Sequence, residues 1–197
     1  LGDKDFSILM HSRLAWTTKG GDEAILSKNN HWLLYALKEI KMLKPHIKLG
    51  AIVAEYGPDV METKMLVTEL GLQDTIFWVP KTSRKNLMWI LSKVNIGVGE
   101  FIQSPRMLWG GTGWEVLACG KPLLQGFYFE NGEFENLFGY SEPPLLKVKH
   151  KADILKHLQV LSENPEKCQI IGQASRDWFN QYNGIKLAEQ WLHLLTK

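Results

Sequence analysis

Short apolar runs recur along this chain, and each is followed by a longer stretch whose apolar positions repeat every three or four residues. Runs of strand length and strand composition cover residues 6–10, 48–54, 75–79, 94–98 and 122–124, with a weaker one at 145–148. Between them the helical period predicts a long helix over 22–43, with Ile25, Leu33, Leu37, Ile40 and Leu43 among its apolar positions. A turn at Gly57-Pro58-Asp59 opens a second helix that ends at Leu70, with Gly71 as its stop. Ser83 caps a third helix running to about Leu91, because its hydroxyl can accept from free N–H groups. Helices over 152–161, 165–182 and 185–195 finish the chain, and the stretch 126–144 is the one long irregular piece. Loops of that length are usually functional or mobile. Strands separated by helices need crossover connections, so the pattern predicts an α/β fold: a parallel sheet of about six strands with helices on both faces.

In such a sheet ligands bind beyond the carboxyl ends of the strands. Three segments with chemical content fall there: 12–21 after the first strand, 80–84 after the third, and 100–115 after the fourth. The last is the most informative. Gly110-Gly111-Thr112-Gly113-Trp114-Glu115 begins a short helix, Gly120 stops it, and Pro122 leads into a strand. Glycines let a backbone approach phosphate closely, and a helix start offers unpaired N–H groups at the positive end of its dipole. Glu115 would repel phosphate at that place but can accept hydrogen bonds from neutral hydroxyls, such as those of a ribose. Phosphate and hydroxyls side by side describe a nucleotide or nucleotide sugar.

The first strand end supplies cations that fit the same ligand. Arg13 can fork two hydrogen bonds onto phosphate oxygens, and Lys19 adds a point charge. Each alone would pass for a solvated surface cation; beside the glycine-rich helix start they make a diphosphate site. Asp22 suits the cap of the long helix after Gly20-Gly21. His11 is expected as a satisfied residue at a strand end. The charges of Lys81, Arg84 and Lys85 fit a solvated first helical turn.

Composition narrows the field. A chain of 197 residues that is 45% hydrophobic and 22% charged is an ordinary globular composition. A formal net charge of +2 is too small for nucleic-acid binding by bulk electrostatics. Two isolated cysteines, Cys119 and Cys168, make neither a disulfide framework nor a zinc site and predict a reducing compartment, the cytoplasm. Cys119, between Ala118 and Gly120, suits a small packing position. No apolar run is long enough to cross a bilayer. The first residue is Leu1, which predicts a processed chain or a piece of a longer one.

The order Ser12-Arg13-Leu14 … Lys19-Gly20-Gly21-Asp22, followed late in the chain by Glu115-Val116-Leu117-Ala118-Cys119-Gly120-Lys121-Pro122-Leu123-Leu124, resembles the nucleotide-sugar-binding half of GT-B glycosyltransferases, and most closely the retaining type called family 4. Glu69-Leu70-Gly71-Leu72 with Ile76-Phe77-Trp78-Val79 fits the same pattern, so the resemblance covers nearly the whole chain. It implies one Rossmann-like domain over residues 1–197, the donor-binding C-terminal half of a two-domain enzyme. By position, Arg13 and Lys19 would bind the donor diphosphate and stabilise it as a leaving group. Gly110, Gly111 and Thr112 would offer backbone N–H groups, Glu115 would hold the ribose, and the backbone around Val79, Pro80 and Lys81 would meet the base. No metal is expected. The acceptor, a glycan or a lipid-linked molecule, would bind the companion half, and the full-length enzyme could associate with a membrane.

The chain departs from that family at Met107, where relatives usually carry a second glutamate that reaches the donor sugar. Glu100 is the carboxylate available to take over that contact. The departure leaves two readings open: half of a glycosyltransferase, or a binding module that kept the fold without the chemistry. A dinucleotide fingerprint does not fit, because Gly20-Gly21 lies too far beyond Met10.

Overall fold

The computed structural model describes residues 2–17, 27–105 and 109–196. Six strands, β1 (Phe6–Met10), β2 (Leu49–Glu55), β3 (Ile76–Pro80), β4 (Ile96–Val98), β5 (Leu123–Gly126) and β6 (Leu146–Val148), form one sheet in the order β3-β2-β1-β4-β5-β6. Every neighbouring pair is parallel; Ile8 stands opposite both Ala51 and Ile96, so β1 is central. Among the described residues eight helices accompany them: α1 (His31–Leu43), α2 (Val60–Glu69), α3 (Arg84–Lys93), α4 (Gly111–Ala118), α5 (Glu133–Phe138), α6 (Lys151–Leu161), α7 (Pro165–Tyr182) and α8 (Gly184–Leu195).

Burial on both faces explains the continuous apolar runs of the strands. All five residues of β1 are buried. Phe6, Ile8 and Met10 join the core under α1, α2 and α6, with Leu33, Leu37, Leu66, Ile154 and Leu158. Leu9 points the other way, into the core under α3, α4 and α7, with Leu91, Val116, Leu117 and Trp178. That alternation is the two-residue period of a strand.

Two glycines let α4 press onto its surroundings. A β-carbon on Gly97 of β4 would stand 2.4 Å from Cγ2 of Val116, and one on Gly172 of α7 would stand 2.3 Å from the carbonyl oxygen of Gly120. Helix α4 is therefore clamped between β4 and α7, which fixes where its first turn lies. Gly120 itself ends the helix with φ of +65°, as the sequence predicts. Ser83 caps α3 by accepting from the N–H of Asn86 at 3.3 Å, also as expected.

Two expectations need correction. The first helix begins at His31, and residues 27–30 are irregular because their side chains and backbone bond to neighbouring loops. Asp22, expected as its cap, lies outside the described residues. The irregular stretch 126–144 reaches into the core through its aromatic residues, while its polar residues stay at the surface. Phe127, Phe129 and Phe134 are buried together, and α5 carries Phe134 into them between Gly132 and Gly139, both left-handed. Its aromatic composition serves packing.

Candidate functional site

The strand order reverses between β1 and β4, which opens a crevice at their carboxyl ends. A cleft of about 510 Å³ occupies it, walled by residues from all three segments singled out in the sequence. Arg13 comes from the loop after β1, Lys81, Thr82 and Arg84 from the region after β3, and Glu100, Gly111, Thr112 and Glu115 from the region after β4.

Each wall is held by long-range hydrogen bonds. After β1, the N–H of Leu14 donates to the carbonyl of Tyr56 at 2.7 Å, and the N–H of Asp59 donates to the carbonyl of Leu14 at 3.2 Å. The intervening Gly57 has φ of +127°, and a side chain there would strike Leu14. The Asp59 carboxylate does not cap α2; it accepts from the N–H of Trp16, the N–H of Thr17 at 2.8 Å and the Thr17 hydroxyl at 2.7 Å. Burial acts to raise the Asp59 pKa, but these donors outweigh it and hold it below the usual carboxylate range.

Residues 28–30 join the β1 and β4 loops. Asn30, 1% exposed, accepts from the N–H of Ala15 and donates to Ser12 Oγ, both at 3.0 Å. Asn29, with φ of 48°, donates to the carbonyl of Phe101 at 2.9 Å. This lacing aims Lys28 into the cleft, where its Nζ pairs with Glu100. Glu100 is fixed from behind by the buried Gln125, which accepts from its N–H at 3.1 Å and donates to its carbonyl at 2.7 Å. Gly110 stands against the Glu100 carboxylate, where an added β-carbon would lie 3.3 Å from Oε1.

Glu115, in the middle of α4, accepts from His11 Nε2 at Oε2, 2.9 Å away, and from Arg84 Nε at Oε1, 2.6 Å away. The His11 bond, opposed by burial and joined by the charges of His11 and Arg84, holds the Glu115 pKa below the usual glutamate range. The carboxylate is therefore ionised across the neutral pH range. Each of its oxygens still has room for another donor. His11 is buried, and its Nδ1 has no partner among the described residues.

Of the residues expected at the site, Arg13, Lys81, Glu100, Gly111, Thr112 and Glu115 line one cleft. Gly110 stands just behind it as the residue preceding α4. Val79 packs against the core, while the backbone leads on to Lys81, whose Nζ lies 5.3 Å from the centre of the Tyr56 ring. Lys19 and Met107 lie outside the described residues. Arg84 is solvated as expected, its side chain 77% exposed in the first turn of α3, and it also bonds to Glu115, which the sequence did not suggest. Lys28 and the His11–Glu115 pair went unread, since partners so distant in sequence leave no local signal. Trp109, near the site in sequence, is buried against Trp114, Phe134 and Trp178, and the Trp16 Nε1 donates to Thr63 Oγ1 at 3.0 Å, so both indoles serve packing.

The cleft carries four cations, Arg13, Lys28, Lys81 and Arg84, against two carboxylates, Glu100 and Glu115. Gly111 and Thr112, the first residues of α4, line it, and the N–H of Gly113 is already used by the carbonyl of Gly110 at 3.0 Å. Such an arrangement can hold a dianion at the helix start and Arg13 while Glu115 accepts from hydroxyl groups. Among the described residues no group of three or more His, Cys, Asp or Glu could hold a metal ion, and no helix is long and apolar enough to cross a membrane.

The fold matches one Rossmann-like half of GT-B glycosyltransferase structures. A point mutant of TarM from S. aureus, in complex with fondaparinux, alpha-GlcNAc-glycerol and UDP, superposes with a TM-score of 0.69 at 14% identity over 98% of this chain. The pneumococcal O-GlcNAc transferase GtfA, in complex with UDP and GlcNAc, superposes with a TM-score of 0.68 at 16% identity over 98% of this chain. Sucrose-phosphate synthase from Thermosynechococcus elongatus gives a TM-score of 0.71 at 18% identity over 100% of it. The chain spans 36% of the length of the first two and 46% of the third. No family model matches the chain, and no curated protein sequence matches it.

Proposed function

We propose that the chain is the donor-binding half of a retaining glycosyltransferase of the family 4 type, holding a nucleoside-diphosphate sugar for transfer to an acceptor hydroxyl. The observation that carries this is the convergence of Arg13, the start of α4 and Glu115 on one cleft at the β1/β4 reversal. In this reading the pyrophosphate lies against the N–H groups of Gly111 and Thr112, with Arg13 bridging its oxygens. Lys28 and Arg84 stand within the same wall, and Lys19 adds to their charge. Fixed donors aimed at a leaving diphosphate favour bond breaking because the charge that develops there meets groups already in place. Glu115, oriented by His11, accepts from the ribose hydroxyls, and the backbone after Val79 borders the base. Glu100, braced by Gln125 and Lys28, stands where a donor-sugar hydroxyl could reach it. The acceptor would be a glycan or lipid-linked molecule on a companion domain.

Calorimetric titration with UDP, GDP and ADP tests this. One of them binds the chain, and Glu115→Ala weakens it about tenfold or more, the scale of a lost charge-assisted hydrogen bond. Silence from all three at millimolar concentration overturns the proposal. A second reading, a binding module without catalysis, is favoured by one feature of the site: both Glu115 oxygens already have protein partners. That reading requires ligand affinity to be indifferent to Glu115→Ala.

A further inference from the structure

At the opposite end of the sheet, where β4 and β5 begin, a second cavity of about 540 Å³ lies between the end of α3, the end of α4 and α7. Lys93, Lys121 and Arg176 line it, and its lining contains no aspartate or glutamate. None of the three cations forms an ion pair among the described residues. Lys121 Nζ donates to the carbonyl of Ser92 at 3.2 Å, and Arg176 Nη2 donates to the carbonyl of Cys119 at 3.4 Å, so both heads are tethered to backbone at the cavity wall. Pro165, Cys168 and Gln169 bring the first turn of α7 to the same wall. That 18-residue helix has no side-chain cap, because the Asn164 Nδ2 donates backward to the carbonyl of Val160 at 2.6 Å. Glu166 in the same turn does not line the cavity, so the positive end of the helix dipole adds to the three cations there.

We propose that this cavity is a second anion site, distinct from the cleft, that takes a small soluble polyphosphate or phosphorylated compound. Three like charges in one concavity repel each other, and a multivalent anion relieves that repulsion while meeting the start of α7. Burial is the main cause that pushes the Lys121 pKa down; Cys119 and Cys168 oppose it, and the charges of Arg176 and Lys93 add to it in smaller measure. The concave shape suits a small molecule better than an extended polymer. The position gives the site a physical link to the cleft: α4 is eight residues long, its first turn lines the cleft, and the Cys119-Gly120-Lys121 segment at its end lines this cavity. An occupant here would touch the far end of the helix whose start faces the other ligand.

Tripolyphosphate titrated into the Arg13→Ala chain tests the proposal, with amide NMR as the readout. The cleft is weakened in that background, so binding at the cavity stands out. The expected result is a shift of the Gly120 and Lys121 amides with saturation, and a loss of affinity of about tenfold or more when Lys121→Met and Arg176→Met are added. Arg176→Lys, which keeps the charge, retains most of the affinity and separates loss of binding from loss of folding. UDP affinity of Lys121→Met in the otherwise natural chain stays unchanged, so failure of the cleft reading and failure of this one are distinguishable. Tripolyphosphate shifts confined to Gly111 and Thr112, or saturation unaffected by the Lys121 and Arg176 changes, overturn the proposal.

Discussion

The placement of α4 rests on Gly97, and substituting that residue tests whether the cleft is built as described. A β-carbon at position 97 would lie 2.4 Å and 2.7 Å from the two methyl groups of Val116, against about 3.5–4.0 Å for carbon atoms in contact. Gly97→Ala therefore forces an overlap of about 1 Å in a closed core, and overpacking of this kind costs about 1–3 kcal/mol. Val116→Ala alone deletes two methyl groups from a fully buried position; transfer and cavity together cost roughly 2–3 kcal/mol. In the double variant the new methyl enters the space the old ones leave, where the Cβ of residue 116 at 3.1 Å must give by only a few tenths of an ångström. The expected loss is then no greater than that of Val116→Ala, so the coupling about cancels the whole cost of Gly97→Ala. Urea unfolding of the four proteins at pH 7 measures this by linear extrapolation. UDP titration of the same set gives a second readout, weakened in Gly97→Ala and recovered in the double variant. Losses that add within about 0.5 kcal/mol would show that the two residues do not meet, and the account of how α4 is positioned would be wrong.

Other outcomes follow from the same geometry. Asp59→Asn removes the charge that gathers three donors from Trp16 and Thr17 and should cost about 1–3 kcal/mol at pH 7. Because the folded Asp59 pKa lies below its ordinary 3.8, its stabilisation is present above that value and is lost as the pH falls through the lower, folded one; the variant should lack this part of the acid response in urea titrations. Burial, and then the charge of Lys151, lower the His31 pKa from 6.5 to about 4, so the unfolded chain takes up a proton first and stability falls as the pH drops from 6.5 towards 4. An NMR titration of the His31 ring should show its midpoint near the lower figure, and a midpoint above 6 would contradict the burial described. Arg84→Ala should leave stability within about 0.5 kcal/mol, since an exposed ion pair contributes little; a much larger loss would mean the contact with Glu115 is structural.

The sequence carried the strands, the glycine-rich turn and the order of the helices because their signals are local. Ser83, Gly71 and Gly120 mark helix ends through chemistry confined to a few residues, and the apolar run along 6–10 reports a strand buried on both faces. What escaped was set by distant partners. Residues 27–30 are irregular because Asn29 and Asn30 bond to the loops after β4 and β1, and no local period encodes that. Lys28 meets Glu100 across 72 positions and His11 meets Glu115 across 104, so each carboxylate was legible as chemistry while its partner was not. Arg84 looked like an ordinary charge on a first helical turn until α3 was seen to place it over Glu115. The stretch 126–144 misled because aromatic residues beside Asn, Gly and Glu suit a binding loop and a packed cap equally well; only the burial of Phe127, Phe129 and Phe134 decides between them.

The most direct measurement is an amide NMR spectrum of the isotope-labelled chain through a UDP titration. The account predicts saturable shifts at Gly111 and Thr112 and in the loop around Arg13 and Leu14, with the Glu115→Ala chain needing about ten times more nucleotide to reach the same shifts. Shifts gathered away from the start of α4, or the same titration curve from the Glu115→Ala chain, would contradict it.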